Sequence, residues 1–292
     1  MDLGQKNGIR YMLIASLLFA FMGAFAKILS QTLPSIEIVF FRNILGVFII
    51  LIALYKNPVV NKGGKPWLLF FRGLMGFSAL MLFFYNIAHI PLAEAMTFSK
   101  ISPIFTAIFA FWLLHEKLTQ RAWFGVFIGF IGVLFITKFD GSNLDKTDWL
   151  GIFSGVGAAL AYTSIRELKN FYDVKIIAFS FMLVGSIFPI LLMFLANFYS
   201  PQSLDFMIAK FVMPKIDDFI FIVLLGIFST YAQLYMTKAY SSTKAGIIGT
   251  VGYTNIIFSI ILGLFLGDAF PDIFILFGIS LIVLSGFLVA KD

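Results

Sequence analysis

Long apolar runs, separated by short polar stretches often rich in proline or glycine, recur along the whole chain. A helix that crosses the ~30 Å hydrocarbon core of a bilayer needs about 20 mostly apolar residues, and the polar stretches divide this sequence into ten such segments. The pattern predicts an all-α integral membrane protein with ten transmembrane helices. The predicted spans are 11–30, 35–55, 67–90, 92–114, 119–137, 149–168, 175–198, 219–238, 243–266 and 271–289.

The first five spans and the last five form an internal repeat. Corresponding spans begin 138 or 140 residues apart up to the seventh span, and 151 or 152 residues apart from the eighth onward. Because five is odd, the second copy crosses the bilayer in the opposite direction, as in many secondary transporters. We therefore expect two inverted five-helix repeats, residues 11–137 and 149–290, preceded by a short segment (1–10) and joined by a linker (138–148).

The change in spacing marks about a dozen extra residues before the eighth span. Within residues 200–214 apolar side chains recur at helical spacing, Ser200 and Pro201 suit a helix start, and Pro214 suits a helix end. This predicts a short helix lying on the outer surface of the membrane. An ordered loop packed against the spans is the alternative.

Composition narrows the class of protein further. Apolar residues make up 60% of the chain and charged residues only 12%, about half the charged share of a soluble domain. With no cysteine and two histidines, the chain offers no thiolate site and little for a metal, so we expect no metal, no cofactor and no catalytic residue. The net charge of +6 needs no nucleic-acid partner, and none is expected.

The distribution of lysine and arginine predicts the orientation in the membrane. With the N-terminus inside, thirteen of these residues fall in inside segments and five at outside ends, and cytoplasmic loops carry such an excess. We expect a bacterial inner-membrane protein with both termini cytoplasmic and a periplasmic linker, surrounded by lipid and acting as a monomer or a homodimer.

Several motifs in the first repeat resemble those of the EamA-type members of the drug/metabolite transporter superfamily. They are residues 85–95 (YNIAHIPLAEA), 102–105 (SPIF), 115–119 (HEKLT) and the glycines Gly125, Gly129 and Gly132. The resemblance covers the whole chain as two EamA repeats. The second repeat departs from the pattern, with Asp268 in place of the usual glutamate.

This resemblance implies a ten-helix carrier with a central cavity lined by the first, third and fourth spans of each repeat. It implies a small polar substrate such as an amino acid or a nucleoside- or vitamin-like compound. S-adenosylmethionine is a candidate because the PLAEA segment resembles a subgroup that includes its carriers.

Ionisable side chains within the spans are the main candidate binding groups, because a charge inside a bilayer is costly. Lys100 lies near the middle of the fourth span, and Pro103 frees a backbone carbonyl one turn away. Our hypothesis is that Lys100 binds a carboxylate or phosphate of the substrate. The alternative is a buried ion pair with Glu94 or Glu37.

Other charged residues within the spans receive different interpretations. Arg42 and Glu37 are candidates for a structural ion pair, and Arg72 is a candidate anchor at the cytoplasmic interface. Because Glu94 and Glu37 are carboxylates within the spans, protons are the candidate coupling ion, and Glu94 is also a candidate substrate contact.

Uncharged polar groups near the middle of the spans complete the candidate site: Asn255, Tyr253, Tyr162 and Gln233. Each could instead bond a neighbouring helix. Together the features predict a secondary-active carrier of a small polar metabolite that works by alternating access. The alternatives are an integral membrane enzyme, for which the chain lacks an acidic or histidine cluster, and a non-transporting scaffold.

Overall fold

The computed structural model describes residues 3–113, 119–136, 144–242, 248 and 251–290. Motif residues 115–118, linker residues 138–143, and residues 243–247, 249 and 250 of the ninth predicted span lie outside the described part. Within it the chain forms α-helices and one short 3-10 helix, with no strand, which confirms the all-α prediction. The α-helices are α1 (Leu3–Leu29), α2 (Ser35–Lys56), α3 (Pro66–His89), α4 (Leu92–Ser99), α5 (Ser102–Leu113), α6 (Gln120–Ile136), α7 (Lys146–Leu168), α8 (Val174–Leu195), α9 (Asp218–Ser242), α10 (Thr254–Phe265) and α11 (Ile273–Ala290).

Five of the described helices, α1, α2, α3, α8 and α9, are long and apolar enough to cross a membrane. Shorter apolar helices lie within α6, α10 and α11. Helix α7 has 23 residues, but its buried face carries small and polar residues. Ser154 Oγ donates to Ala79 O of α3 at 2.8 Å, and Gly155 lies against the turn between α4 and α5. The count of ten spans stays a prediction.

Two predicted spans are interrupted at equivalent points of the repeat. In the fourth span, α4 ends just before Lys100 and α5 begins at Ser102. In the ninth, Tyr253 adopts a turn and α10 begins at Thr254. Irregular backbone at membrane depth is tolerated only where protein buries it or where it lines a cavity, so both interruptions belong to the interior of the bundle.

Equivalent turns of the two halves lie at opposite ends of α2. Before α2 begins, Thr32 Oγ1 donates to Asp218 Oδ1 at 3.0 Å. In the loop after α2, Asn61 Oδ1 accepts from the backbone N–H of Asp173 at 2.7 Å. Thr32 lies in the turn after α1 and Asp173 in the turn after α7, its repeat equivalent. The two halves therefore run in opposite directions, as an inverted repeat requires.

Residues 200–214 form an ordered loop, so the prediction of a short surface α-helix was wrong. Only Gln202–Leu204 makes a single 3-10 turn. Other elements bind the polar groups of the loop: Asp205 accepts from Tyr85 Oη at 3.0 Å and pairs with Lys146. The loop is thus held by contacts with α3 and α7 rather than by a helical hydrogen-bond pattern.

Candidate substrate cavity

A cavity lies in the middle of the bundle, between helices, where ligand sites of helical proteins commonly occur. Side chains of α1, α3, α4, α7 and α9 line most of it, together with Lys100, Ser102, Gly252 and Asn255. These positions belong to the first, third and fourth predicted spans of each repeat, as the resemblance implied. Arg42 of α2 and Phe181 of α8, from the second span of each repeat, line it as well, which the resemblance did not imply.

Lys100 enters the cavity from the turn between α4 and α5. Its backbone has left the helical conformation at ψ 1°, and its backbone N–H donates to Thr97 O at 2.9 Å. Among the described residues no carboxylate lies within ion-pairing distance of Lys100 Nζ. The alternative of an ion pair with Glu94 or Glu37 was therefore wrong.

Arg42 and Arg72 also line the cavity, each with only 1% of its surface exposed. The guanidinium carbons lie 5.0 Å and 4.6 Å from the ring centroid of Phe181. Gly76, one turn after Arg72, makes room for this arrangement, because a Cβ there would lie 3.1 Å from Arg72 Nη1. The interpretation of Arg72 as an interfacial anchor was wrong, because the glycine lets its side chain fold inward.

The predicted pair between Arg42 and Glu37 does not form either. Glu37 is fully buried and accepts from the backbone N–H of Val212 at 2.9 Å. Arg42 Nη1 instead donates to Asn43 Oδ1 at 2.7 Å, and Asn43 Nδ2 donates to the backbone oxygen of Gly185 at 3.2 Å. The carboxylate of Glu37, which the sequence suggested as a partner for Arg42, thus binds the loop at 200–214 instead.

Donors on both arginines remain unsatisfied within the described part of the chain. Nε of Arg42, and Nε and Nη1 of Arg72, are buried without a hydrogen-bond partner. A buried donor left unpaired costs roughly 1–3 kcal/mol, and more when it is charged. Buried groups of this kind are candidates for ligand contact, because a ligand can supply the missing acceptors.

The charged side chains that line the described part of the cavity are all positive. Lys100, Arg42 and Arg72 face it, and no aspartate or glutamate appears among the described lining residues. Like charges in a low-dielectric pocket repel one another, and an anion bound between them would relieve that repulsion.

Three of the predicted uncharged residues line the cavity. Asn255 Nδ2 donates to the backbone oxygen of Ser16 at 2.8 Å and so connects α10 to α1. Gln233 Nε2 donates to the hydroxyl of Thr237 at 3.3 Å. The ring of Tyr162 stacks on that of Tyr240 with centroids 5.1 Å apart.

Two of the predicted site residues do not line this cavity. Tyr253 is buried at the α11 side, where a Cβ on Gly286 would lie 2.0 Å from its ring. Glu94 sits in the first turn of α4 and is absent from the described lining. Sequence reasoning also missed Phe181, one of 38 phenylalanines, for which no sequence signal existed.

An ion pair joins the two halves at the end of the bundle that the sequence predicts to face outside. Lys27 at the end of α1 forms an ion pair with Asp268 in the turn between α10 and α11, with Nζ and Oδ1 2.7 Å apart. Lys27 Nζ also donates to Ile90 O at 3.0 Å, and Asp268 Oδ2 accepts from the N–H of Leu92 at 2.8 Å. The pair thereby ties three chain segments together.

Comparison with known families gives the class of this molecule. The profile of the EamA-like transporter family matches residues 6–138 and 145–291. The chain belongs to the EamA-like transporter family. The two matches correspond to the two halves that run in opposite directions, and the protein is a multi-pass membrane transporter rather than an enzyme.

Among EamA-like relatives, the chain is 34% identical over 288 residues to an uncharacterized transporter of Helicobacter pylori (strain ATCC 700392 / 26695), covering 97% of this chain and 94% of that one. It is 32% identical over 282 residues to the pseudopaline exporter CntI of Pseudomonas aeruginosa (strain UCBPP-PA14), covering 96% and 94%. It is 22% identical to the S-adenosylmethionine uptake transporter of Rickettsia prowazekii (strain Madrid E), covering 91% and 86%.

A solved crystal structure supports the fold of this EamA-like chain. It matches with a TM-score of 0.64 at 18% identity, covering 98% of this chain and 95% of that one. At this identity the likeness concerns the fold alone.

Proposed function

We propose that this EamA-like transporter is a secondary-active carrier of a small polar metabolite, and that the central cavity is its substrate site. The observation that carries the proposal is the cavity itself, which both halves of an inverted repeat line and which holds buried, unpaired arginine donors. Substrate sites at the interface of such repeats are common in secondary carriers.

Alternating access follows from this arrangement. Two halves of similar fold and opposite direction can exchange conformations, which would open the cavity to one side as it closes to the other. The Lys27–Asp268 pair would then hold the outer side closed in the conformation described here. The interruptions near Lys100 and Tyr253 would provide the bending points, because α4 and α10 are short helices that can tilt about them.

The distribution of lysine and arginine supports an inner-membrane protein with both termini in the cytoplasm. Protons remain the candidate coupling ion.

Transport of an isotope-labelled metabolite extract into liposomes containing the purified chain tests this function. We expect mass spectrometry to find at least one compound that enters faster than into protein-free liposomes, with and without an imposed pH gradient testing proton coupling. Lys100→Met should reduce that uptake strongly, whereas Lys65→Gln, which breaks an exposed ion pair with Glu167, should leave it unchanged. If no compound enters above the protein-free rate, the carrier proposal is wrong.

A further inference from the structure

Three cationic side chains face the central cavity, and no carboxylate among the described lining residues balances them. We infer that the transported metabolite carries at least two anionic groups, carboxylate or phosphate, one bound by Lys100 and another by Arg42 and Arg72. This inference rests on the proposed function, since it assigns a substrate class to the same cavity.

The cations form two separate binding points. Arg42 from α2 and Arg72 from α3 lie against the same ring of Phe181 from α8. Lys100 comes from another wall, the turn between α4 and α5, where no described carboxylate neutralises it. Two anionic groups on one molecule match this division better than a single one.

The unmet donors of the arginines specify the kind of group. A guanidinium presents its N–H donors in one plane, as a fork that fits the two oxygens of a carboxylate or phosphate. A neutral hydroxyl would accept one of these bonds and leave the charge unbalanced. An anionic oxygen pair meets both needs.

Stacking on Phe181 does not by itself satisfy the N–H donors of the two arginines. The cation–π contact engages the face of a guanidinium, whereas the N–H donors lie in its plane. Nε of Arg42 and Nε and Nη1 of Arg72 are among the buried atoms without a described partner. The ring therefore holds the two groups in position while their edges stay available for a ligand.

The same charge distribution disfavours a cationic substrate. S-adenosylmethionine has a sulfonium, an ammonium and one carboxylate, so its net charge is positive. A cavity with three cations and no described acidic lining residue would repel it. The relative named for that compound is only 22% identical to this chain, which leaves room for a different substrate class.

Binding to the purified full-length chain tests the inference with defined probes. The thermal stability of the protein is measured with citrate and fructose 1,6-bisphosphate as polyanions, glucose as a neutral compound, and S-adenosylmethionine as a cation. We expect a concentration-dependent rise in Tm with the polyanions alone, because a ligand that binds the native state stabilises it.

Variants show whether the anions bind in this cavity. Lys100→Gln and Arg72→Gln should each weaken polyanion binding roughly tenfold to hundredfold, the usual worth of a charge-assisted hydrogen bond. Arg72→Lys retains the charge but loses the planar set of N–H donors, so its affinity for polyanions should lie between those of Arg72→Gln and the wild-type protein. Lys65→Gln removes an exposed positive charge outside the cavity and should bind like the wild-type protein.

Three results would overturn the inference: no polyanion stabilises the wild-type protein, glucose or S-adenosylmethionine does so instead, or the cavity variants bind polyanions as well as Lys65→Gln does. The wild-type comparison is independent of whether any variant folds. The liposome experiment separates the two proposals, since protein-dependent uptake of only neutral or cationic compounds would contradict the inference and leave the carrier function standing.

Discussion

Nζ of Lys27 lies 2.7 Å from Oδ1 of Asp268, although the two residues belong to opposite halves of the chain. Their side chains are 20% and 14% exposed, so water screens this pair less than a surface ion pair. Asp268 reaches both Lys27 and the N–H of Leu92.

Breaking this pair should open the outer side of the cavity. Asp268→Asn can keep the bond to Leu92 while losing the attraction to Lys27. The free-energy difference between the conformations closed and open to the outside should then shift by about 1–2 kcal/mol toward the open one. Because the chain has no cysteine, a single Met96→Cys in the cavity lining can report access to an impermeant maleimide. We expect roughly tenfold faster labelling from outside in Asp268→Asn.

Lys65→Gln in the same Met96→Cys background is the matched control for the maleimide experiment, since it breaks an ion pair at the other end of the bundle. Equal labelling rates in the Asp268→Asn and Lys65→Gln proteins would mean that the Lys27–Asp268 pair does not control access.

Removing a cavity charge should stabilise the protein while it impairs function. Arg72→Met replaces a buried guanidinium with unpaired donors by an apolar chain, and we expect the free energy of unfolding to rise by roughly 1–3 kcal/mol. Polyanion binding should be lost. Denaturant unfolding in detergent measures the first effect, with Arg121→Met on the exposed start of α6 as the control. A less stable Arg72→Met would mean that Arg72 already has a structural partner.

The contact between α6 and α11 should depend on the absence of a side chain at Gly132. A Cβ there would lie 2.9 Å from the backbone oxygen of Gly278 and 2.9 Å from Ile282 Cγ1. Gly132→Ala must therefore push the two helices apart, at a cost of about 1–3 kcal/mol in unfolding free energy.

Gly252→Ala provides the comparison for Gly132→Ala, because its Cβ would meet only the flexible end of Met12. Thermal unfolding of both variants should show a clear drop in Tm for Gly132→Ala alone. A similar drop for the two would contradict the proposed backbone contact.

The outer loop should contribute a small, pH-dependent stability through Asp205. Burial alone would raise the pKa of Asp205, but hydrogen bonds from Lys146 and Tyr85 outweigh it and lower this pKa below its ordinary value of 3.8. The contribution is therefore fully present above about pH 4 and is lost as pH falls through the lowered pKa.

The side chain of Asp205 is 50% exposed, so Asp205→Asn should cost only about 0.5 kcal/mol at neutral pH. Tm measured at neutral and acid pH should show the difference from wild type shrinking in acid. Asp217→Asn, at an exposed position, should show no such difference at either pH. A difference that grows in acid would contradict the sign argued for Asp205.

The sequence predicted the helical class and the two halves, because hydrophobic segments and repeat spacing record these features directly. The spans that line most of the cavity followed from the resemblance to the EamA-type transporters. Asn255, Gln233, Tyr162 and Lys100 were found because a polar group within a span is rare. The loop at 200–214 was predicted wrongly, since helical spacing of apolar residues does not reveal that Tyr85, Lys146 and Glu37 bind its polar groups.

Arg42 and Arg72 show why side-chain direction escaped prediction. Their positions near the ends of predicted spans suggested ion pairing or contact with lipid headgroups. Their actual direction depends on Gly76, which belongs to none of the motifs, and on Phe181 from the other half. Only the three-dimensional packing of α2, α3 and α8 brings these residues together.

The positive charge of the cavity has an electrical consequence. An elementary charge moved across a membrane potential of 100 mV changes the free energy by about 2.3 kcal/mol. If the carrier works as proposed, reorientation of the empty cavity past the bilayer centre would be sensitive to voltage. A cargo with two anionic groups would offset two of the three charges of Lys100, Arg42 and Arg72, so the loaded step would be less sensitive to voltage than the empty one. The voltage would then act mainly on the return of the empty carrier.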